Sequence, residues 1–209
     1  MVLTGDELMA GVDFRRMNAL RHKYRHGPQK NPSWLKFADW RQYAPRAIGW
    51  AEQLELHKSR GKRIIDVGCG FGYFVRACQL MGHNAIGLDF DDPLYNEVWD
   101  ILKVPAVHHA LTCGVPLPKG LGDFDIITMF GFGLPRVSMG DGHRSARTWE
   151  EYQQSLLALL KLVKPGGFLF AVLNVGRDWL FGNSEWYALA KHAGGILSVH
   201  NNIFRIDMP

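Results

Sequence analysis

Ile64-Ile65-Asp66-Val67-Gly68-Cys69-Gly70-Phe71-Gly72 is a short apolar run that enters a glycine-rich turn. Lys62 to Val67 reads as a first strand. Tyr73 to Met81 reads as the helix that follows, ended by Gly82 at the left-handed cap position. A strand that runs into glycines and then a helix lets the backbone approach a bound ligand closely, and the ligand crevice of such folds lies at the strand ends. A dinucleotide would need its pyrophosphate on the helix N-terminus and glycines spaced G-x-G-x-x-G. The third glycine of that spacing falls on Tyr73. The spacing present is G-x-G-x-G, with Asp66 two residues before the first glycine. That carboxylate would repel a phosphate but can pair with an ammonium. The turn therefore favours a ligand with a cationic aminoacyl group and no pyrophosphate.

Downstream, strands and helices alternate. Asn84 to Leu88 reads as a second strand with Asp89 at its C-terminal end, and Asp92-Pro93 opens a helix as cap and first-turn residue. Val104 to Leu111 and Phe124 to Phe130 read as the third and fourth strands. A long loop, Gly131 to Arg147, precedes a helix from Thr148, which has capping-box spacing to Glu151. Lys164-Pro165-Gly166-Gly167 closes that helix and Phe168 to Leu173 is a fifth strand. A helix over Ser184 to His192, strands at Ile196 to Val199 and Ile203 to Ile206, and the Asn201-Asn202 turn complete the chain. The pattern predicts an α/β, Rossmann-like, doubly wound, mostly parallel seven-stranded sheet with a C-terminal antiparallel hairpin.

Upstream, residues 1–30 read as loosely structured and end in the turn signals Gly27-Pro28 and Asn31-Pro32. Ser33 to Ser59 is helical in pattern, with Trp34, Phe37, Trp40, Tyr43 and Ile48 recurring at helical spacing and Pro45 expected to kink or divide it. The expected organisation is a helical, basic extension over 1–59 acting as a substrate lid, then a ligand-binding domain over 60–209.

The 209 residues, 47% hydrophobic and 21% charged, suit one globular α/β domain and argue against disorder. No apolar run approaches the roughly 20 residues that cross a bilayer. The start of the chain lacks a secretory pattern. Cys69, Cys78 and Cys113 form neither a CxxC pair nor a disulfide framework, so a cytoplasmic location is expected. No His/Cys/carboxylate spacing requires a metal. The net charge of +4 conceals a cluster, Arg15, Arg16, Arg21, His22, Lys23, Arg25, His26 and Lys30, which reads either as a solvated terminal segment or as a contact for an anionic acceptor.

With these elements in view, the sequence resembles the class I S-adenosylmethionine-dependent methyltransferases over residues 60–209. The resemblance rests on Ile65-Asp66-Val67-Gly68-Cys69-Gly70-Phe71-Gly72, Gly87-Leu88-Asp89, Phe124-Asp125-Ile126-Ile127 and Leu160-Lys161-Leu162-Val163-Lys164-Pro165-Gly166-Gly167, in order and at the usual spacing. It implies S-adenosylmethionine as cofactor. Asp66 would support the turn and the methionyl amine. Gly68, Cys69, Gly70 and Gly72 would pass against the cofactor. Asp89 would accept hydrogen bonds from the ribose hydroxyls, and Phe90 would pack on the adenine. Phe130 and Gly131 would border the methyl group and the acceptor. Many relatives carry an acid after the third strand, and here Thr112 or Cys113 stands there. The Asn/Asp-Pro-Pro-Tyr signature of exocyclic base methylation is absent after strand four, which argues against a DNA adenine methyltransferase.

Methyl transfer depends on positioning, and a base is needed only when the acceptor must lose a proton. The loop Gly131 to Arg147 offers His143 as base or acceptor-orienting group, with Arg136 or Arg144 to hold an anionic group. The expected function is methyl transfer to O or N of a small-molecule or sugar-like acceptor. RNA methylation through the basic N-terminal cluster and a non-catalytic cofactor-binding module are the competing readings. The sequence leaves the oligomeric state open.

Overall fold

The computed structural model describes residues 3–27, 32–111, 115–132, 149–173 and 183–209. The chain forms two compact units, Met1–His108 and His109–Pro209.

The first unit begins with α1 (Gly5–Leu8), α2 (Phe14–His26), α3 (Pro32–Leu35), a 3₁₀ turn at Lys36–Ala38, α4 (Trp40–Gln53) and a second 3₁₀ turn at Leu56–Lys58. It continues as β1 (Arg63–Val67), α5 (Tyr73–Leu80), β2 (Asn84–Asp89), α6 (Pro93–Leu102) and β3 (Ala106–His108). The start of the chain is therefore helical, a correction to the loose segment expected over 1–30. Its helices are capped. The Thr4 hydroxyl accepts from the Glu7 N–H at 3.2 Å while the Thr4 N–H donates to Glu7 Oε2 at 2.7 Å, and Asp13 Oδ1 accepts from the N–H groups of Arg15 and Arg16. Basic residues at the C-terminal end of α2 complement its dipole. Met17, Leu20 and Tyr24 are buried along the α2 face that packs on α6. The helical region is divided at Asp39, not at Pro45, which lies inside the continuous α4. The buried stripe Ala44, Ala47, Ile48 and Ala51 keeps α4 helical past the proline by packing it on α5.

β1, β2 and β3 pair in parallel, with Val67 beside Leu88 and Asp89 beside His108. β3 is only three residues, shorter than the run from Val104 to Leu111 suggested. Ile64, Ile65, Leu88, Leu94, Val98 and Leu102 centre the core of this unit.

The second unit contains β4 (Phe124–Phe132), α7 (Trp149–Leu160), β5 (Val163–Leu173), α8 (Asn183–His192), β6 (Ile196–His200) and β7 (Ile203–Asp207). β4 and β5 are parallel, with a register shift between Phe124 and Ile126 that admits Lys164 to Gly167 into the strand. β7 is antiparallel to both β5 and β6, forming the hairpin. Trp186 of α8 stacks on Phe204 of β7 at 4.5 Å between centroids, both fully buried. The strands are ordered β3-β2-β1 in the first unit and β4-β5-β7-β6 in the second, and the seven are mostly parallel with an antiparallel C-terminal hairpin. Among the described residues no helix is long and apolar enough to cross a membrane.

Candidate functional site

The turn after β1 is held to the end of β2 by backbone bonds. The Gly68 N–H donates to the Leu88 carbonyl at 2.7 Å. The Gly70 N–H donates to Asp89 Oδ2 at 2.7 Å, and the Phe90 N–H donates to Asp89 Oδ1 at 2.9 Å. On the following peptide unit, the Trp99 indole N–H of α6 donates to the Gly70 carbonyl at 2.7 Å. Gly70 is thus gripped from its acceptor and its donor side, in a left-handed conformation with φ +53°. Gly72 caps α5 at φ +79°, where an added Cβ would lie 2.7 Å from Val104 Cγ1. A side chain there would be strained and blocked together.

Asp89 is buried, with 8% of its surface exposed. Burial pushes its carboxyl above the ordinary range, the N–H groups of Gly70 and Phe90 pull it back, and Asp92 adds a smaller push upward. Each oxygen accepts one backbone N–H and retains capacity for another donor. A ligand diol beside Asp89 would find two acceptors already oriented by the backbone. Asp66, in the middle of the β1 end, is 3% exposed.

The sequence itself matches no family model and no curated protein. Solved structures match the fold. A TehB-like SAM-dependent methyltransferase from Corynebacterium glutamicum shares 23% identity at TM-score 0.57, over 85% of this chain and 97% of that one. SAM-bound CalS10, an amino pentose methyltransferase from Micromonospora echinaspora, matches at 15% identity and TM-score 0.57, over 80% and 92%. The magnesium protoporphyrin IX methyltransferase ChlM from Synechocystis PCC 6803, with bound SAM, matches at 14% identity and TM-score 0.58, over 96% and 99%. The fold is that of the class I SAM-dependent methyltransferases.

Within this methyltransferase fold, the first unit brings Asp66, Gly68, Cys69, Gly70, Gly72, Asp89 and Phe90 to the adjoining ends of β1 and β2. Cys69 is packed against the backbone of β2, since a Cβ on Gly87 would lie 2.5 Å from its sulfur. Burial, together with Asp66 and Asp89, pushes the Cys69 thiol well up, which favours the protonated thiol. The Phe90 ring is exposed and meets Trp34 and Tyr95. Burial, then Asp89 and Asp92, push the Tyr95 hydroxyl up, so it remains neutral. Phe130 and Gly131 fall in the second unit at the end of β4, Phe130 tilted against Phe170 at 6.1 Å and Gly131 at φ +64°. Thr112, Arg136, His143 and Arg144 lie outside the described residues. Among the described residues no three or more His, Cys, Asp or Glu side chains gather as a metal site. Sequence reasoning missed Trp99. It belongs to the apolar stripe Leu94, Tyr95, Val98, Trp99 and Leu102 and so reads as core, and no local pattern couples it to Gly70.

Proposed function

We propose that the protein binds S-adenosylmethionine and transfers its methyl group to O or N of a small-molecule or sugar-like acceptor. The observation that carries this reading is Asp89, a buried carboxylate fixed by Gly70 and Phe90 N–H bonds, with spare acceptor capacity beside a G-x-G-x-G turn. The neighbours of like fold include enzymes on an amino pentose and on a magnesium porphyrin, which supports a small-molecule acceptor class without selecting one.

Bound S-adenosylmethionine would supply a methyl carbon on an activated sulfonium. An acceptor lone pair would bond to that carbon as the carbon–sulfur bond broke, with its electron pair left on sulfur. Asp89 would hold the ribose hydroxyls and Asp66 the aminoacyl end, so catalysis comes largely from alignment. Phe130 and Gly131 are proposed to border the acceptor. His143 would take a proton where the acceptor carries one, with Arg144 anchoring an anionic group. Residues 1–59 would wall the pocket.

One observation favours an RNA acceptor as a second reading. Arg15, His22, Arg25 and His26 are exposed on α2, whereas Arg16 and Lys23 are engaged with Asp100 and Glu97. Calorimetric titration with S-adenosylmethionine, S-adenosylhomocysteine and NAD tests the cofactor, with Asp89→Ala as control. Micromolar binding of the first two, lost in the variant, is expected. Preference for NAD would overturn the reading. A steep salt dependence of RNA binding would move the acceptor to nucleic acid. Cofactor binding without turnover over a broad acceptor panel would mark a binding module.

A further inference from the structure

Seven large hydrophobic side chains are exposed among the described residues: Phe14, Trp34, Leu80, Phe90, Val115, Tyr187 and Ile196. Two of them touch each other. The rings of Trp34 and Phe90 lie 6.3 Å apart between centroids, inclined at 57°. Trp34 is 38% exposed and Phe90 is 36% exposed. At that inclination neither ring covers the other, and the pair forms an open aromatic corner. The corner is firmly backed. Tyr95, buried, lies 6.0 Å from Trp34 and 5.3 Å from Phe90. Phe37 stacks on Trp34 at 6.0 Å, and Phe71 meets Tyr95 at 5.7 Å.

The corner stands one residue from the diol acceptor, because the Phe90 N–H donates to Asp89 Oδ1. A nucleoside whose ribose hydroxyls rest on Asp89 carries its base a single bond from the sugar. The base is a flat π-system of the kind that covers exposed aromatic faces. An aliphatic group would gain less there. Among the cations in ring contact nearby, Lys36 lies over Phe37, not over Trp34 or Phe90.

We propose that Trp34 is an adenine-contacting residue, so that the N-terminal helices help bind the cofactor itself as well as enclosing the acceptor. This rests on the S-adenosylmethionine reading above. It assigns α3 a place in the cofactor site, which neither the glycine turn nor the segment after β2 reveals.

The test uses the full chain and two probes that share adenosine but differ at the aminoacyl end, S-adenosylhomocysteine and 5′-methylthioadenosine. Trp34→Ala is expected to weaken both by the same factor, roughly tenfold, while Trp34→Phe recovers most of the affinity. Thermal melting of both variants establishes that they are folded, and the Phe variant keeps the test open if the Ala variant is not. Unchanged affinity for both probes would overturn the proposal. So would a loss confined to S-adenosylhomocysteine, which would place Trp34 at the aminoacyl end. An altered acceptor KM with unaltered S-adenosylhomocysteine affinity would place Trp34 over the acceptor and overturn it equally. If the wild-type protein binds neither probe, the cofactor reading fails first and takes this proposal with it.

Discussion

At the scale of single residues, Gly70 decides how ready the turn is for a ligand. Its N–H is bound by Asp89 and its carbonyl by Trp99, so the turn pays little ordering entropy when a ligand arrives. Trp99→Phe keeps a buried ring and removes the indole donor. S-adenosylhomocysteine affinity is expected to fall about fivefold, the size of one hydrogen bond, with only a small change in Tm. An unchanged affinity by calorimetry would show that the indole bond does not serve the ligand. Asp89 gives a pH dependence with a definite sign. Its carboxyl is raised above the ordinary aspartate range, chiefly by burial, and the protonated form loses an acceptor for a ribose hydroxyl. Affinity is therefore expected to be full at neutral pH and to decline as pH falls, beginning above the range of an ordinary aspartate. A titration series that stays flat until the protein unfolds would contradict this.

At the scale of elements, Arg76 of α5 is the connector. Its guanidinium donates to the Leu8 carbonyl at 2.6 Å, to the Ala10 carbonyl at 2.9 Å and to the Leu102 carbonyl. One side chain thus ties the end of α1 and the end of α6 to α5, and burial lowers its pKa without neutralising it. Arg76→Ala would strand three carbonyls and is expected to cost about 2–3 kcal/mol by denaturant unfolding. A loss well below that would mean water replaces the guanidinium. The α2–α6 pairing is more electrostatic. Burial pushes Glu97 up, yet hydrogen bonds from the Lys23 ammonium and the Tyr24 hydroxyl outweigh it and hold the carboxylate below its usual range. Arg16 and Asp100 pair at the exposed surface of the same contact, where an ion pair is worth little. The cap of α5 is stricter. Gly72→Ala must adopt φ +79° against Val104 and is expected to destabilise by about 2 kcal/mol or more, readable as a lower midpoint in urea.

For the whole molecule, the expected ligand is also a stabiliser. At a hundred times its Kd, S-adenosylhomocysteine should add about 2.7 kcal/mol, raising Tm by roughly 5–10 °C for a chain of this size. NAD at the same concentration should leave Tm unchanged, and a shift with NAD alone would reverse the cofactor assignment. Much of the architecture was legible before any coordinates. The alternation of β1, α5, β2 and α6, the glycine turn, Asp89 at a strand end, the Asp92 cap and the final hairpin all follow from periodicity and turn chemistry. Both act between residues a few positions apart. What the sequence by itself did not determine is set by packing between distant segments. Capping and the burial of Met17, Leu20 and Tyr24 turn a basic terminus into helix. The stripe facing α5 carries α4 through Pro45. The bond from Trp99 to a carbonyl 29 positions away and the meeting of Trp34 with Phe90 arise only once the chain has closed on itself. A side chain's periodicity says which face it occupies, and only the folded chain says what that face meets.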